Sequence, residues 1–257
     1  MMRVIRSLAR RELVRFFRQR HRVVGSLAQP LLIWLFLGAG FSSSFKAPGQ
    51  EHISYLEYFY PGILMMMMLF SGIFSTITII EDRQQGLLQE VLVAPVSRMA
   101  IVLGKVLGAM GVALVQSVVL LVAAPFLGLH VGVGSFLLLL LGLVIGSLGF
   151  TALGFLMAWR METTAGFHAV MSVFLMPLWM LSGSLFPMDH LPGWLWWVMM
   201  ANPVTHALKL IRLPLYENSQ TLLTHPDYLL ALGVSALWAV GCLVLALAQV
   251  RRVEKGV

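Results

Sequence analysis

Residues 81–98 read EDRQQGLLQEVLVAPVSR, a charged stretch set between two long apolar runs and one that no membrane span would tolerate. Glu81, Asp82, Arg83, Glu90 and Arg98 surround a short apolar helix carrying Leu87, Leu88, Val91 and Leu92. Pro95 stops that helix, because proline cannot continue one and disfavours helical geometry in the residue before it. The stretch has to sit in water. A few polar residues would suffice to join two spans, so a connector built this way reads as a docking element facing a partner.

Outward from it the chain is apolar on both sides. Apolar residues make up 59% of the sequence and charged residues 11%, against about 45–50% and about 25% in soluble domains, which places the chain among integral membrane proteins. Runs at or near the roughly 20 residues needed to cross the hydrocarbon lie at about 23–41, 61–80, 103–129, 133–159, 166–186 and 229–250. The expected fold is therefore all-α, with six transmembrane helices in a single membrane domain over residues 1–257. Residues 190–214, HLPGWLWWVMMANPVTHALKLIRLP, are broken by Pro192, Pro203 and Pro214 and rich in tryptophan. With the residues from 187 onward they read as an external interfacial or re-entrant segment, not a seventh span. No tandem repeat is visible.

Lysine and arginine are retained on the cytoplasmic side of a membrane. With six spans, fifteen of the eighteen fall on one side, among them the arginines of residues 1–22, Arg83, Arg98, Lys105, Arg160, Arg251, Arg252 and Lys255; the other side holds Lys46, Lys209 and Arg212. Both termini are expected to be cytoplasmic, and a seventh span would put the C-terminal cluster on the wrong side. Topology and anionic lipid account for the net charge of +7, leaving little for a nucleic-acid partner to explain. Within residues 3–22, Ile5, Leu8, Ala9, Leu13, Phe16 and Phe17 share one helical face, with Arg11, Arg15, Arg18 and Arg22 opposite. That pattern predicts an amphipathic helix along the cytoplasmic membrane surface. The apolar run after it is too long for a secretory signal, so it reads as an anchor that stays. The basic helix serves either as a topology signal alone or also as a neighbour of the 81–98 segment, pairing an arginine with Glu81 or Asp82.

The spans place no Asp, Glu, Lys or Arg near their centres. Ion-driven transporters usually need such a group there. His168, near the cytoplasmic start of the fifth span, reads as a packing or interfacial residue or, alternatively, a proton relay. The sequence has no GxxxxGK[ST] phosphate loop, no HExxH zinc pair and no GxSxG nucleophile turn, and the lone Cys242 makes neither a disulfide within the chain nor a cysteine metal site. No catalytic residue and no metal ligand is assigned. Energy for uphill transport would have to enter through a partner at 81–98. Ser71, Ser75 and Thr78 form a hydroxyl stripe that either packs helices or lines a cavity. Met65, Met66, Met67 and Met68 point all round their helix and read as adaptable packing. Gly104, Gly108 and Gly111, like Gly142, Gly146 and Gly149, offer small surfaces for close helix approach. Pro30 and Pro177 should kink the first and fifth spans.

The order of these parts, with a basic helix, then E-x-x-x-G…L-x-A-P-V-S-R after the second span, then FPMDHLPGWLWWVMMANPVTHALKLIR before the last, resembles the type-2 exporter permeases of ATP-binding-cassette (ABC) transporters. Glu81, Gly86, Leu92, Pro95, Val96, Ser97 and Arg98 fall where that family has its cytoplasmic coupling segment. Phe186, Pro187, Leu191, Pro192, Asn202, Pro203 and Arg212 fall in its external segment. The resemblance implies a permease dimer in a bacterial cytoplasmic (inner) membrane, with two separate ABC ATPase subunits below that bind ATP and magnesium; with one chain type, a homodimer is the default. It makes Glu81, Asp82, Arg83, Gly86, Glu90, Leu92, Pro95 and Arg98 the candidate coupling residues. It further implies that substrate passes between the second and fifth spans of the two protomers, which nominates Met68, Ser71, Ser75, Thr78, Met171, Phe174 and Leu178. Trp194, Trp196 and Trp197 suit the external headgroup layer as anchors or a lid. The substrate could be a drug, lipid or glycan. A related permease serving cofactor or metalloenzyme assembly, a membrane scaffold and an intramembrane enzyme are the rival readings.

Overall fold

The computed structural model describes residues 1–41, 54–93, 96–129, 131–188 and 191–254, and every regular element among them is helical. The amphipathic start forms α1 (Met2–Arg18). The chain breaks at Gln19 and resumes as α2 (Arg20–Phe41), so the basic segment is a separate helix and not the first turns of a span. Ser54 caps α3 (Tyr55–Ser75), its hydroxyl accepting from the Glu57 N–H at 3.3 Å. After a one-turn offset at Thr76 and Ile77 the same rod continues as α4 (Thr78–Gln84). Gly86, at φ +77°, turns the chain into α5 (Leu87–Val93).

Ser97 caps α6 (Arg98–Leu121) through the Ala100 N–H. A 3-10 turn, Ala124–Leu127, leads towards α7 (Val133–Arg160), and α8 (Thr164–Trp179) is capped by Thr163. A widened turn, Met180–Ser184, closes α8. Then come α9 (Gly193–Ala201), α10 (Pro203–Tyr216), the short α11 (Ser219–Leu222) and α12 (Pro226–Glu254).

Among the described residues six stretches are long and apolar enough to cross a membrane: Arg20–Phe41, Tyr55–Gln84, Arg98–Leu127, Val133–Arg160, Thr164–Ser184 and Pro226–Arg251. Their number agrees with the sequence reading, and the starts of all but the fourth, which stays at Val133, move outward for local reasons. The second span begins at the Ser54 cap rather than at Pro61, which sits inside α3. The last begins with Pro226, whose missing N–H costs nothing in a first turn.

The core is built around α3, whose flanks are taken by α2, α6, α7 and α10. Phe59, Tyr60, Ile63, Leu64 and all four consecutive methionines are buried, which a helix surrounded on every side requires. By contrast α2 and α8 lie at the periphery, leaving Leu35, Phe36, Val173 and Phe174 exposed. The predicted external segment is a pair of short helices joined at Asn202. Trp194 and Trp197 of α9 are exposed, whereas α10 is buried against α7, α12 and α3.

The amphipathic helix differs from its sequence reading. Its buried residues are Ile5, Leu8, Glu12 and Phe16, and Phe17 is exposed. The reason is its partner. α1 lies along α6, where Gly104 and Gly108 have no side chain to hold it off: a Cβ built on Gly104 would stand 2.7 Å from Leu8 Cβ, and one on Gly108 2.7 Å from Glu12 Cβ. The close approach assigned to these glycines admits α1, not another span.

Candidate functional site

Three helices bring six charged side chains together at one end of the bundle: Arg11, Glu12 and Arg15 from α1, Glu81 and Asp82 from α4, and Lys105 from α6. Asp82 is the hub. One of its oxygens accepts from Arg15 at 2.7 Å, and the other accepts from both Arg11 and Lys105. Lys105 also donates to Glu12 at 2.6 Å, and Arg15 reaches Glu81 at 2.7 Å. Asp82, Glu12 and Lys105 are buried, whereas Glu81 is about a quarter exposed. A buried charge is tolerated only when paired and hydrogen-bonded, so this mutual arrangement is what allows three ions to be enclosed at a helix crossing.

The arginine expected beside Glu81 or Asp82 is thus supplied twice, by Arg11 and Arg15. Glu12 and Lys105 were missed in the sequence. Glu12 sits on the face of α1 that the apolar pattern assigns to the interior, and that is the one signal that could have found it.

Arg83 turns the other way. Its guanidinium donates to the Trp159 and Met161 carbonyls at 2.7 and 2.9 Å and stacks 5.5 Å from the Trp159 ring, while Gln84 donates to the Glu162 carbonyl at 2.8 Å. These bonds satisfy carbonyls that the end of α7 leaves without helical partners and tie α4 to the α7–α8 connection. Of the remaining coupling candidates, Glu90 is exposed on α5 and Arg98 opens α6, partly exposed. Pro95 and the side chain of Leu92 lie outside the described residues.

A cavity of about 600 Å³ lies between α2, α3 and α8, beside the joint of α1 and α2. Ser71 and Ser75 line it, together with Met66 and Met67 of α3, Gln29 of α2, and His168 and Ser172 of α8. The other nominated path residues are elsewhere. Met68 is wholly buried, its methyl set into the notch at Gly146; Met171 is in the core; Thr78 is buried and donates to the Ser75 carbonyl; Phe174 is exposed; Leu178 is half-buried. His168 packs on Phe74, ring centroids 4.9 Å apart.

At the opposite end the external candidates form a latch. The Asn202 amide donates to the Leu178 and Leu181 carbonyls at 2.6 and 3.1 Å while its oxygen caps α10 through the Val204 N–H at 3.0 Å. Arg212 donates to the Gly183 carbonyl at 2.9 Å and lies 4.5 Å over the Tyr58 ring, and the Tyr58 hydroxyl donates to that same carbonyl at 3.2 Å. Gly183 is at φ +83°, a conformation L side chains rarely adopt. Phe186 and Pro187 are half-buried, Pro192 precedes α9 and is exposed, and Pro203 opens α10. Among the described residues no group of three or more His, Cys, Asp or Glu could hold a metal.

The sequence profile of the ABC-2 type transporter family matches residues 3–216. The chain is 30% identical over 222 residues to the "Putative transport permease ycf38" of Cyanophora paradoxa, an alignment spanning 84% of this chain and 74% of that protein. It is 27% identical over 158 residues to the "Probable multidrug ABC transporter permease YbhR" of Escherichia coli K12, spanning 61% and 43% respectively. It is 25% identical over 196 residues to the "Daunorubicin resistance ABC transporter permease protein DrrB1" of Streptomyces coeruleorubidus, spanning 72% and 65%.

Proposed function

Because the chain belongs to the ABC-2 type transporter family, as a multi-pass transmembrane subunit of an ABC transporter, we propose that it exports a hydrophobic or amphipathic substrate from the cytoplasm or inner leaflet. Two separate ABC ATPase subunits power it, ATP and magnesium belonging to them, and a second copy of this chain completes the permease. The complex sits in the bacterial inner membrane with both termini of this chain cytoplasmic, the side on which the arginines of α1 gather. Residues 81–98 receive the push of the ATPase subunits. Alternating access follows as a rigid-body switch between inward-facing and outward-facing arrangements.

The observation that carries this reading is the ionic knot at Asp82. A docking segment that merely decorated the surface would need no buried tie to two other helices. Here α4 is fastened to α1 and α6, so a displacement of the segment is passed into the bundle. The exposed apolar faces of α2 and α8 are the surfaces available for the second copy and for lipid.

The test is to purify the tagged chain in mild detergent from its native membrane and look for an ATPase subunit at one per permease. With the wild-type complex in hand, Pro95→Ala and Arg98→Glu are expected to lower substrate-stimulated ATP hydrolysis several-fold. If neither variant changes coupling, or no ATPase accompanies a functional chain, the reading fails.

A further inference from the structure

The cavity beside α2 has a chemistry of its own, and on the exporter reading it points to a substrate class. At the α1–α2 joint a second hollow of about 520 Å³, lined by Arg18, Gln19, Arg20, His21 and Arg22, shares its last residues with the 600 Å³ cavity. From Gln19 to Pro30 the combined site follows about 16 Å of α2 at 1.5 Å per residue. One end is cationic. Among the described residues its only carboxylate, Glu81, is already engaged by Arg15 at 2.7 Å. The deeper part is apolar, built by Met66, Met67 and Phe70.

Within that part stands Ser71. Its hydroxyl is buried and has no hydrogen-bond partner among the described residues. Serines and threonines in neighbouring helices behave differently: Ser26, Ser117 and Thr151 each donate to a carbonyl three or four residues earlier. Such back-bonding is the usual fate of a hydroxyl in an apolar helix. An enclosed polar group without a partner is unfavourable; the Ser235 hydroxyl of α12 shares that state, but Ser71 is the one that lines the cavity, where something else can accept or donate. The 600 Å³ volume falls within the roughly 300–1,000 Å³ typical of small-molecule sites.

We propose that this site binds an amphiphile with a phosphate or carboxylate head and that this is the transported class. The head group is held by Arg22 and its basic neighbours, the apolar tail lies against Met66, Met67 and Phe70, and Ser71 contacts a polar atom along the chain. The basic end also gathers such molecules from an anionic leaflet.

The test uses the full chain, purified without ATPase subunits in neutral detergent, and a fluorescent lysophosphatidic acid followed by anisotropy. The same tail on a phosphocholine head, the same tail on a trimethylammonium head, and inorganic phosphate serve as comparators. Lysophosphatidic acid is expected to bind at least about tenfold tighter than either other head group, a difference of about 1.4 kcal/mol. Gly25 lines the cavity, and a Cβ added there meets nothing within 4 Å, so Gly25→Phe carries a ring into the space from an open position and is expected to abolish saturable binding. Arg22→Gln should erase the head-group preference while leaving tail binding, and Ser71→Ala should weaken the probe several-fold.

Equal affinity for all three heads, or preference for the cation, overturns the proposal, as does full competition by phosphate alone or unchanged binding by Gly25→Phe. A transported amphiphile raises ATP hydrolysis in the reconstituted complex. A resident lipid does not, and binding without stimulation overturns the assignment as substrate. Loss of binding in a chain that still co-purifies its ATPase sinks this inference alone, whereas binding in a chain that never associates with an ATPase sinks the exporter reading and leaves the site.

Discussion

Replacing Asp82 by asparagine keeps the shape of the side chain and removes its charge. In the native knot three cations, Arg11, Arg15 and Lys105, face three carboxylates, Glu12, Glu81 and Asp82, so the six groups sum to zero. The Asp82→Asn variant leaves an excess cation at a helix crossing where Lys105 is 4% exposed, and one face of the amide then turns a donor towards donors. Breaking a buried pair by removing one partner costs about 3–5 kcal/mol. Glu81→Gln is the control. Glu81 is 27% exposed and its partner Arg15 keeps Asp82, so its loss should cost about 0–1 kcal/mol.

The two neighbouring carboxylates are therefore expected to differ by at least about 2 kcal/mol. The double variant Asp82→Asn with Lys105→Met restores neutrality and should be less destabilised than the sum of its parts, with a coupling of about 1–3 kcal/mol. Unfolding by dodecyl sulfate in mixed micelles, followed by tryptophan fluorescence, measures all four chains. If Asp82→Asn costs no more than Glu81→Gln, or if the Asp82 and Lys105 effects simply add, the knot does not hold α1, α4 and α6 together and the force path loses its anchor.

Three further perturbations follow from the same geometry. Gly108→Leu drives a side chain into Glu12 at a position where even a Cβ stands 2.7 Å away; overpacking of about 1–3 kcal/mol should lift α1, seen as faster maleimide labelling of a cysteine placed at Leu8 in a Cys242→Ala background. Gly233→Leu, where an added Cβ meets nothing within 4 Å, should leave that rate unchanged. Asn202→Ala removes the α10 cap and uncovers two carbonyls, for a loss of about 2–3 kcal/mol read as a lower melting temperature; Asn218→Ala, at a helix start with no side-chain cap bond, should shift it little. Arg83→Ala releases the Trp159 and Met161 carbonyls and is expected to lower substrate-stimulated ATP hydrolysis several-fold while the ATPase still co-purifies, a result checked by hydrolysis and pull-down on one preparation.

The number and type of elements were legible because hydrocarbon imposes them: a long apolar run has few other solutions than a helix. Pro192 and Pro203 stand where α9 and α10 begin, whereas Pro214, expected to break the stretch, lies inside α10 and does not end it. The site was legible only in part. Glu81 and Asp82 announced themselves by interrupting an apolar run. Lys105 did not, since one lysine seven residues into α6 looks like a topological charge. Glu12 carried only its place on the apolar face of α1, since its burial is set by glycines about a hundred residues away. By spacing the hydroxyl stripe is one unit, yet Ser71 and Ser75 line the cavity while Thr78 bonds back to its own helix. Periodicity gives a face. Which neighbour that face meets is a tertiary fact that spacing alone does not contain.

The position of α4 explains why two kinds of tie were needed. It extends the central α3 beyond the bundle and holds the α1–α6 pair through the Asp82 knot and the α7–α8 connection through Arg83 and Gln84. The first tie is ionic, between side chains of three elements. The second grips backbone carbonyls at a helix end. A push on the segment that follows α4 must therefore move both groups or break one tie, and the carbonyl bonds, being on a connection with fewer neighbours, are the ones that can yield. Since α8 lines the cavity through His168 and Ser172 while α1 and α2 carry its basic end, yielding at Arg83 would shift one wall of the cavity against the other. On the proposed coupling, Arg83 would set how a displacement becomes a change of cavity shape, and Asp82 whether the displacement arrives at all. The two variants should accordingly fail differently: Asp82→Asn by loosening the fold, and Arg83→Ala by leaving a stable chain whose hydrolysis no longer answers to substrate.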